Sequence, residues 1–159
     1  MTKPALHALC HAFIEQRISA ARTAMQAAQE SSTSETKSSA GDKYETGREM
    51  ANAERDRHAA HLRQAQQLQA ELARINPDAA CDTVRPGALV RTSLGLFYVS
   101  ISAGQLPGHD VFAVSPAAPV AVALKGLRAG EEAAFNGKPC GLKLLNNGHP
   151  DECGKCISA

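Results

Sequence analysis

Apolar positions in the first half of the chain fall into two helical stripes. Leu6, Cys10, Phe13, Ile14, Ile18, Ala21, Met25 and Ala28 recur at spacings of mostly three or four, which is the single seam of an amphipathic helix. Pro4 suits the first turn of that helix, where its missing N–H costs nothing. A second seam runs through Leu62, Ala65, Leu68, Leu72 and Ile75, with Gln64, Gln66, Gln67, Glu71 and Arg74 between them. Asn76-Pro77 stops it, because the residue before a proline is pushed out of helical conformation. Ala-rich, charge-laced helices with so narrow a seam do not fold alone; they pair. Between the seams lies SSTSETKSSAGDKYETG, residues 31–47, where the periodicity fails. A flexible linker is the plain reading. The matching lengths of the flanking segments favour the tip of a helical hairpin, with arms over 4–31 and 44–75 and a tip at about 32–47. At 1.5 Å per residue each arm is about 42–46 Å long.

The pattern changes after Pro77. Val84-Arg85-Pro86-Gly87 is a turn signal. Residues 88–92 and 96–102 are rich in β-branched and aromatic residues and read as two strands joined at Ser93-Leu94-Gly95. A loop at Gly104–Gly108 precedes a strand at Val111–Val114. Ser115-Pro116-Ala117-Ala118-Pro119 introduces a short helix near 117–124, ended by Gly126. Residues 133–135 and 141–145 are final strands around the turn Asn136-Gly137. Phe97, Tyr98, Phe112 and Phe135 lie on these strands and are expected to form a core. The expected class is α+β. An antiparallel helical hairpin over 1–75 is followed by a linker at 76–86, a small antiparallel sheet domain with one short helix over 87–145, and a Cys/His tail at 146–159.

Composition sharpens this division. Pro4, Gly41 and Gly47 are the only helix-breaking residues of 1–75, whereas seven Pro and ten Gly fall in 76–159, so helix gives way to strands and turns at that point. With 159 residues the chain is one compact domain or two small pieces. Aromatics are 4% and Trp is absent, so the core is small and mostly aliphatic. Seventeen Lys and Arg against sixteen Asp and Glu give a formal charge of +1. That excludes a free nucleic-acid binder driven by bulk phosphate neutralisation. No apolar run reaches the roughly 18–20 residues that span a bilayer, so no membrane partner is expected. The N-terminus, interrupted by His7 and His11, lacks a signal-peptide pattern. The expected location is cytoplasmic, where the five Cys stay reduced.

Two stretches carry a family resemblance. Gly41-Asp42-Lys43-Tyr44-Glu45 looks like the Gly-Asp-x-x-Glu hairpin-tip motif of the Gre family of bacterial transcript-cleavage factors. The run from Val114 to Glu131 resembles the C-terminal signature of that family, in which Ser-Pro precedes an apolar helix and a Leu-x-Gly-x-x-x-Gly-(Asp/Glu) turn. With the order of elements, the similarity covers roughly residues 5–145. It implies a hairpin that enters the secondary channel of RNA polymerase, with an FKBP-like C-terminal domain at the channel rim. It also implies that Asp42 and Glu45 help to hold a Mg²⁺ beside the polymerase's own carboxylates. The chain would then not be an enzyme itself but would modulate elongation or stimulate the polymerase's RNA cleavage, meeting nascent RNA only indirectly. Mg²⁺ favours oxygen ligands and is often held by one or two carboxylates with water and phosphate; a second metal can clamp the leaving oxygen. Tyr44, Arg48, Glu49, Ser115 and Pro116 are the expected contacts with the polymerase. The pattern departs from the family after the tip, where Thr46-Gly47-Arg48-Glu49 replaces Asn-Ala-Glu-Tyr and the aromatic comes earlier, as Tyr44.

Each of these signals has a plainer alternative. Asp42, Glu45 and Glu49 suit a helix start, where carboxylates favour the macrodipole. Arg48, Arg55, Arg57 and Arg63 alternate with Glu54 and Asp56, which is the pattern of a solvated ion-pair face. The rival function is a regulatory or structural module whose hairpin dimerises or binds another partner. In the tail, Cys140, His149, Cys153 and Cys156 have the spacing C-x8-H-x3-C-x2-C, a Cys3His set of the zinc type. An inert or redox-active dithiol with Cys140 buried in a strand is the other reading. Cys10 and Cys81 read as small hydrophobes.

Overall fold

The computed structural model describes residues 2–35, 43–135 and 138–145. The chain opens with α1 (Lys3–Glu35) and α2 (Lys43–Ala73). Six strands and one short helix follow, in the order β1 (Leu89–Thr92), β2 (Gly95–Val99), β3 (Gly104–Gln105), β4 (Val111–Val114), α3 (Pro119–Leu124), β5 (Glu132–Phe135) and β6 (Lys138–Leu145). The class is α+β, as the hydrophobic pattern requires. Ala12–Ala70 form one compact unit; the described residues through His11 and from Glu71 onward form the other.

In the helical unit the two seams face inward. Ile14, Ile18, Ala21 and Ala28 of α1 and Ala65 of α2 are buried. Gln69 Nε2 donates to Glu15 Oε1 at 2.7 Å, while Ala24, Ala27, Ala28 and Ser31 face Ala51, Glu54 and His58 across a cavity of about 260 Å³. Rising numbers on α1 thus meet falling numbers on α2, so the pair is antiparallel. Both helices run further toward the tip than the apolar seams do. The Thr33 hydroxyl donates to the Gln29 carbonyl one turn back at 2.9 Å, the back-bonding that Ser and Thr adopt inside a helix.

The sheet has the order β3-β4-β2-β1-β6-β5. Its pairs are antiparallel except β2 and β4, which run parallel with Phe97 opposite Phe112. The parallel pair arises because β3, two residues long, pairs back onto β4 at the edge. A strand of two residues has no alternation to read, which is why this segment reads as loop. One face of the sheet packs Val90, Val99 and Leu142 against Ala121 and Leu124 of α3, with Cys81, Val84, Ala88 and Ala133 closing the cluster. The segment before β1 is therefore part of the core. It is tied there by Val84 N–H to the Leu127 carbonyl at 2.9 Å and Gly126 N–H to the Val84 carbonyl at 3.0 Å.

The aromatic expectation needs correction. Tyr98 is fully buried, but Phe112 is 37% exposed and Phe97 is half-buried against it, with ring centroids 6.1 Å apart. Side chains alternate along a strand, so Phe97 shares the α3 face with Val99. A helix of six residues is too short to cover both ends of that face.

Candidate functional site

At the tip, α2 begins at Lys43, so Tyr44 and Glu45 occupy its first turn. Asp42 and the side chains of Tyr44 and Glu45 lie outside the described residues. Beyond them the helix is open to solvent, with Thr46, Arg48 and Glu49 exposed. Met50 beside them is 70% exposed, an apolar group that charge patterning gives no reason to single out. Further down α2, both Arg55 Nε and a terminal guanidinium nitrogen donate to Asp56 Oδ1, at 3.2 and 3.0 Å. Glu54 lies 4.0 Å from His58 Nε2. This flank is the solvated ion-pair face that the alternation of charge describes.

The Val114–Glu131 stretch is explained by the fold around it. Ser115 is half-buried and Pro116 exposed, and the Ser115 carbonyl accepts the Ala118 N–H at 3.0 Å. Pro119 then starts α3. Gly126 follows at φ +80° and Gly130 at φ +89°, conformations that side chains with a Cβ resist. The Glu131 carboxylate accepts the Arg128 N–H at 2.8 Å, and Gly130 N–H donates to the Leu142 carbonyl at 2.9 Å. Each signature position here helps bring the chain from β4 over α3 to β5.

The most connected set of polar side chains lies where the first turns of α1 meet the sheet, a cluster absent from the sequence reading. His7 Nδ1 is 3.1 Å from the Tyr98 hydroxyl, and the rings of His7 and His11 stand edge to face with centroids 5.0 Å apart. Cys10 Sγ lies 3.7 Å from Ser100 Oγ. The buried Lys3 donates its ammonium to the Ala79 carbonyl. The signal was present as His7, Cys10 and His11, one turn of polar and thiol groups set inside an apolar seam.

Burial dominates the electrostatics of this cluster. Desolvation, and then the charge of His11, lower the His7 pKa, against a smaller pull upward from Asp78. Burial raises the Cys10 thiol, with the Ser100 hydrogen bond opposing it. Tyr98 is pushed far above its ordinary value by burial and by the neighbouring Cys10 and Cys81. At neutral pH all three are held uncharged.

In the second half of the chain, Cys140 is buried on β6 and accepts a hydrogen bond from Ser93 Oγ at 3.5 Å. Burial raises its pKa, but hydrogen bonds from the Ser93 and Thr92 hydroxyls and the Ser93 and Leu94 N–H groups outweigh this and hold it below the ordinary thiol value. His149, Cys153 and Cys156 lie outside the described residues. Among the described residues no cluster of three His, Cys, Asp or Glu is placed to hold a metal, and no helix is long and apolar enough to cross a membrane.

No family model and no curated protein sequence matches the chain. Among solved structures it is similar to the GreA factor homolog 1 (Gfh1) of Thermus thermophilus. That match has a TM-score of 0.35 and 20% identity over 83% of this chain and 90% of that one. A second structure, of the transcription factor Gfh1, matches with a TM-score of 0.33 and 20% identity over 86% and 91%.

Proposed function

We propose that the chain is a Gre-like transcription factor that binds RNA polymerase through its secondary channel, leading with the α1–α2 end. The observation that carries this reading is positional. In sequence the Gly41-Asp42-x-x-Glu45 motif spans the last residues before α2 and its first three, between two antiparallel helices, and the same chain continues into a sheet domain whose Ser115-Pro116 turn opens α3. Asp42 and Glu45, three residues apart, would share one face if helical conformation extends back through Asp42.

Carboxylate oxygens are the donor type that Mg²⁺ prefers, and two of them suffice when the polymerase supplies the rest. Such a metal lowers the pKa of bound water and stabilises the oxygens of a phosphodiester displacement. This chain's part would be to place negative charge there; the reaction belongs to the polymerase, and the chain is not itself an enzyme. Binding without stimulated cleavage is a second reading, favoured by one feature: Thr46-Gly47-Arg48-Glu49 lacks the residues that follow the tip in cleavage factors.

Two measurements test this together. Capture of RNA polymerase by the purified protein is followed by transcript cleavage on stalled elongation complexes. With cleavage observed, Asp42→Asn should remove it and leave capture nearly intact. Capture without cleavage selects the regulatory reading, and absence of capture removes the polymerase reading altogether.

A further inference from the structure

The paired imidazoles of His7 and His11 on α1 have a centroid separation compatible with chelation. His7 and His11 are one helical turn apart, and both are half-buried, so solvent reaches them. A metal–nitrogen distance of about 2.0–2.1 Å plus a ring radius of about 1.1 Å puts an imidazole centroid about 3.2 Å from a bound metal. Two such rings then have centroids about 4.5 Å apart at a right angle and about 5.2 Å apart at a tetrahedral one. The His7–His11 separation of 5.0 Å, with planes at 73°, falls inside that interval. His58 and His61, three apart on α2, stand 6.2 Å apart and fall outside it.

The His7 ring is oriented from behind. When its Nδ1–H donates to the Tyr98 oxygen 3.1 Å away, Nε2 is left as the free ligand nitrogen. Metal-binding histidines are commonly fixed by such a partner on the other ring nitrogen.

We propose that His7 and His11 form a two-nitrogen site for a divalent transition-metal ion, with Tyr98 as the group that orients His7. Imidazole selects zinc, copper or nickel over magnesium and calcium, which require oxygen. Solvent completes the coordination shell, since no third described His, Cys, Asp or Glu joins the pair. The site is therefore open and exchangeable. It does not depend on the polymerase reading.

The test uses the full chain, stripped with chelator and titrated with Zn²⁺ alone, followed by NMR of the histidine rings. The expected result is a saturable shift of the His7 and His11 ring signals, with those of His58 and His61 unmoved. A Cys153→Ser/Cys156→Ser variant, which removes tail thiols that compete for zinc, should keep the response. His11→Gln should abolish it. Tyr98→Phe, which leaves both ligands in place, should weaken it about tenfold. His7 and His11 signals that stay fixed at about millimolar Zn²⁺ overturn the proposal, as does a response confined to the tail or unchanged in His11→Gln. The ring signals of the unmodified protein decide the matter even if a variant fails to fold.

Discussion

Replacing Tyr98 with Phe removes one oxygen from a fully buried side chain and leaves the ring in place. The change has two effects of opposite sign, separated by pH. Near pH 8 the variant loses the hydrogen bond to His7. A net loss of about 1 kcal/mol is expected, because half-buried His7 can turn to water instead of being left unpaired. At high pH the phenol itself becomes a liability to the parent. The folded-state pKa is raised from an ordinary 10.0 by burial first and then by Cys10 and Cys81. A raised pKa contributes stability that is present below the unfolded-state value and lost as pH rises above it, since only the unfolded chain releases the proton. One proton corresponds to about 1.4 kcal/mol per pH unit, so the parent has lost about 1.4 kcal/mol on this account by pH 11. Tyr98→Phe has no such proton to lose. Its urea-unfolding free energy, followed by circular dichroism under reducing conditions, should lie about 1 kcal/mol below the parent at pH 8 and meet or cross it near pH 11. All other groups are common to both proteins and cancel from the difference. A parent–variant difference that stays constant from pH 8 to 11 would refute the reasoning, because it would mean that the phenol is open to water and that α1 does not cover it.

The other predictions concern the base of the fold and the tail. Gly87 sits at φ +91°, and a Cβ there would lie 3.1 Å from Ile75 Cγ2 and 3.4 Å from the Asn76 carbonyl; Gly87→Ala should lower stability by about 1–2 kcal/mol in a denaturant titration. His7 has its pKa lowered from 6.5 by burial and by His11, so its contribution is present above 6.5 and is lost as pH falls below it. The parent should destabilise between pH 7 and 5 more steeply than His7→Gln does. If the tail binds zinc tightly, protein purified without chelator should carry about one zinc per chain, lost on Cys156→Ser; a metal-free protein would leave Cys140 as a strand thiol held by Ser93.

The elements were legible where a hydrophobic period runs long enough. Ten or more residues of seam set the helix pair, and the buried faces of α1 and α2 are the ones the spacing of Leu6, Ile14, Ile18, Ala65 and Leu72 indicates. The Gly/Pro shift near Pro77 located the change from helix to sheet. Four features escaped for physical reasons. The edge strand β3 is shorter than one alternation. The parallel pairing of β2 with β4 is a long-range property with no local mark. The continuation of α1 to Glu35 runs against the turn preference that Ser and Thr carry. The cluster of His7, Cys10, Tyr98 and Ser100 joins positions some ninety residues apart, and no spacing rule connects them. Cys10 and Cys81 were legible as small buried groups, since each falls where an apolar residue was required.

The two stretches that carry the family resemblance are constrained by different forces. In the C-terminal stretch, Gly126 and Gly130 hold left-handed backbone, Glu131 ties the turn between them, and Ala121 and Leu124 fill the core under the sheet. Any chain that folds this way must supply residues of those kinds, so the stretch speaks for architecture and says little about chemistry. The exposed positions at the start of α2 are under no such demand. Thr46, Arg48, Glu49 and Met50 face solvent, where substitutions usually change stability by less than about 0.5 kcal/mol. Residues there are free to follow function alone. The departure from the cleavage-factor pattern falls at these positions. A protein can therefore keep the helix pair and the sheet domain while changing what its tip does, and function has to be measured at Asp42 and Glu45 rather than read from the sheet.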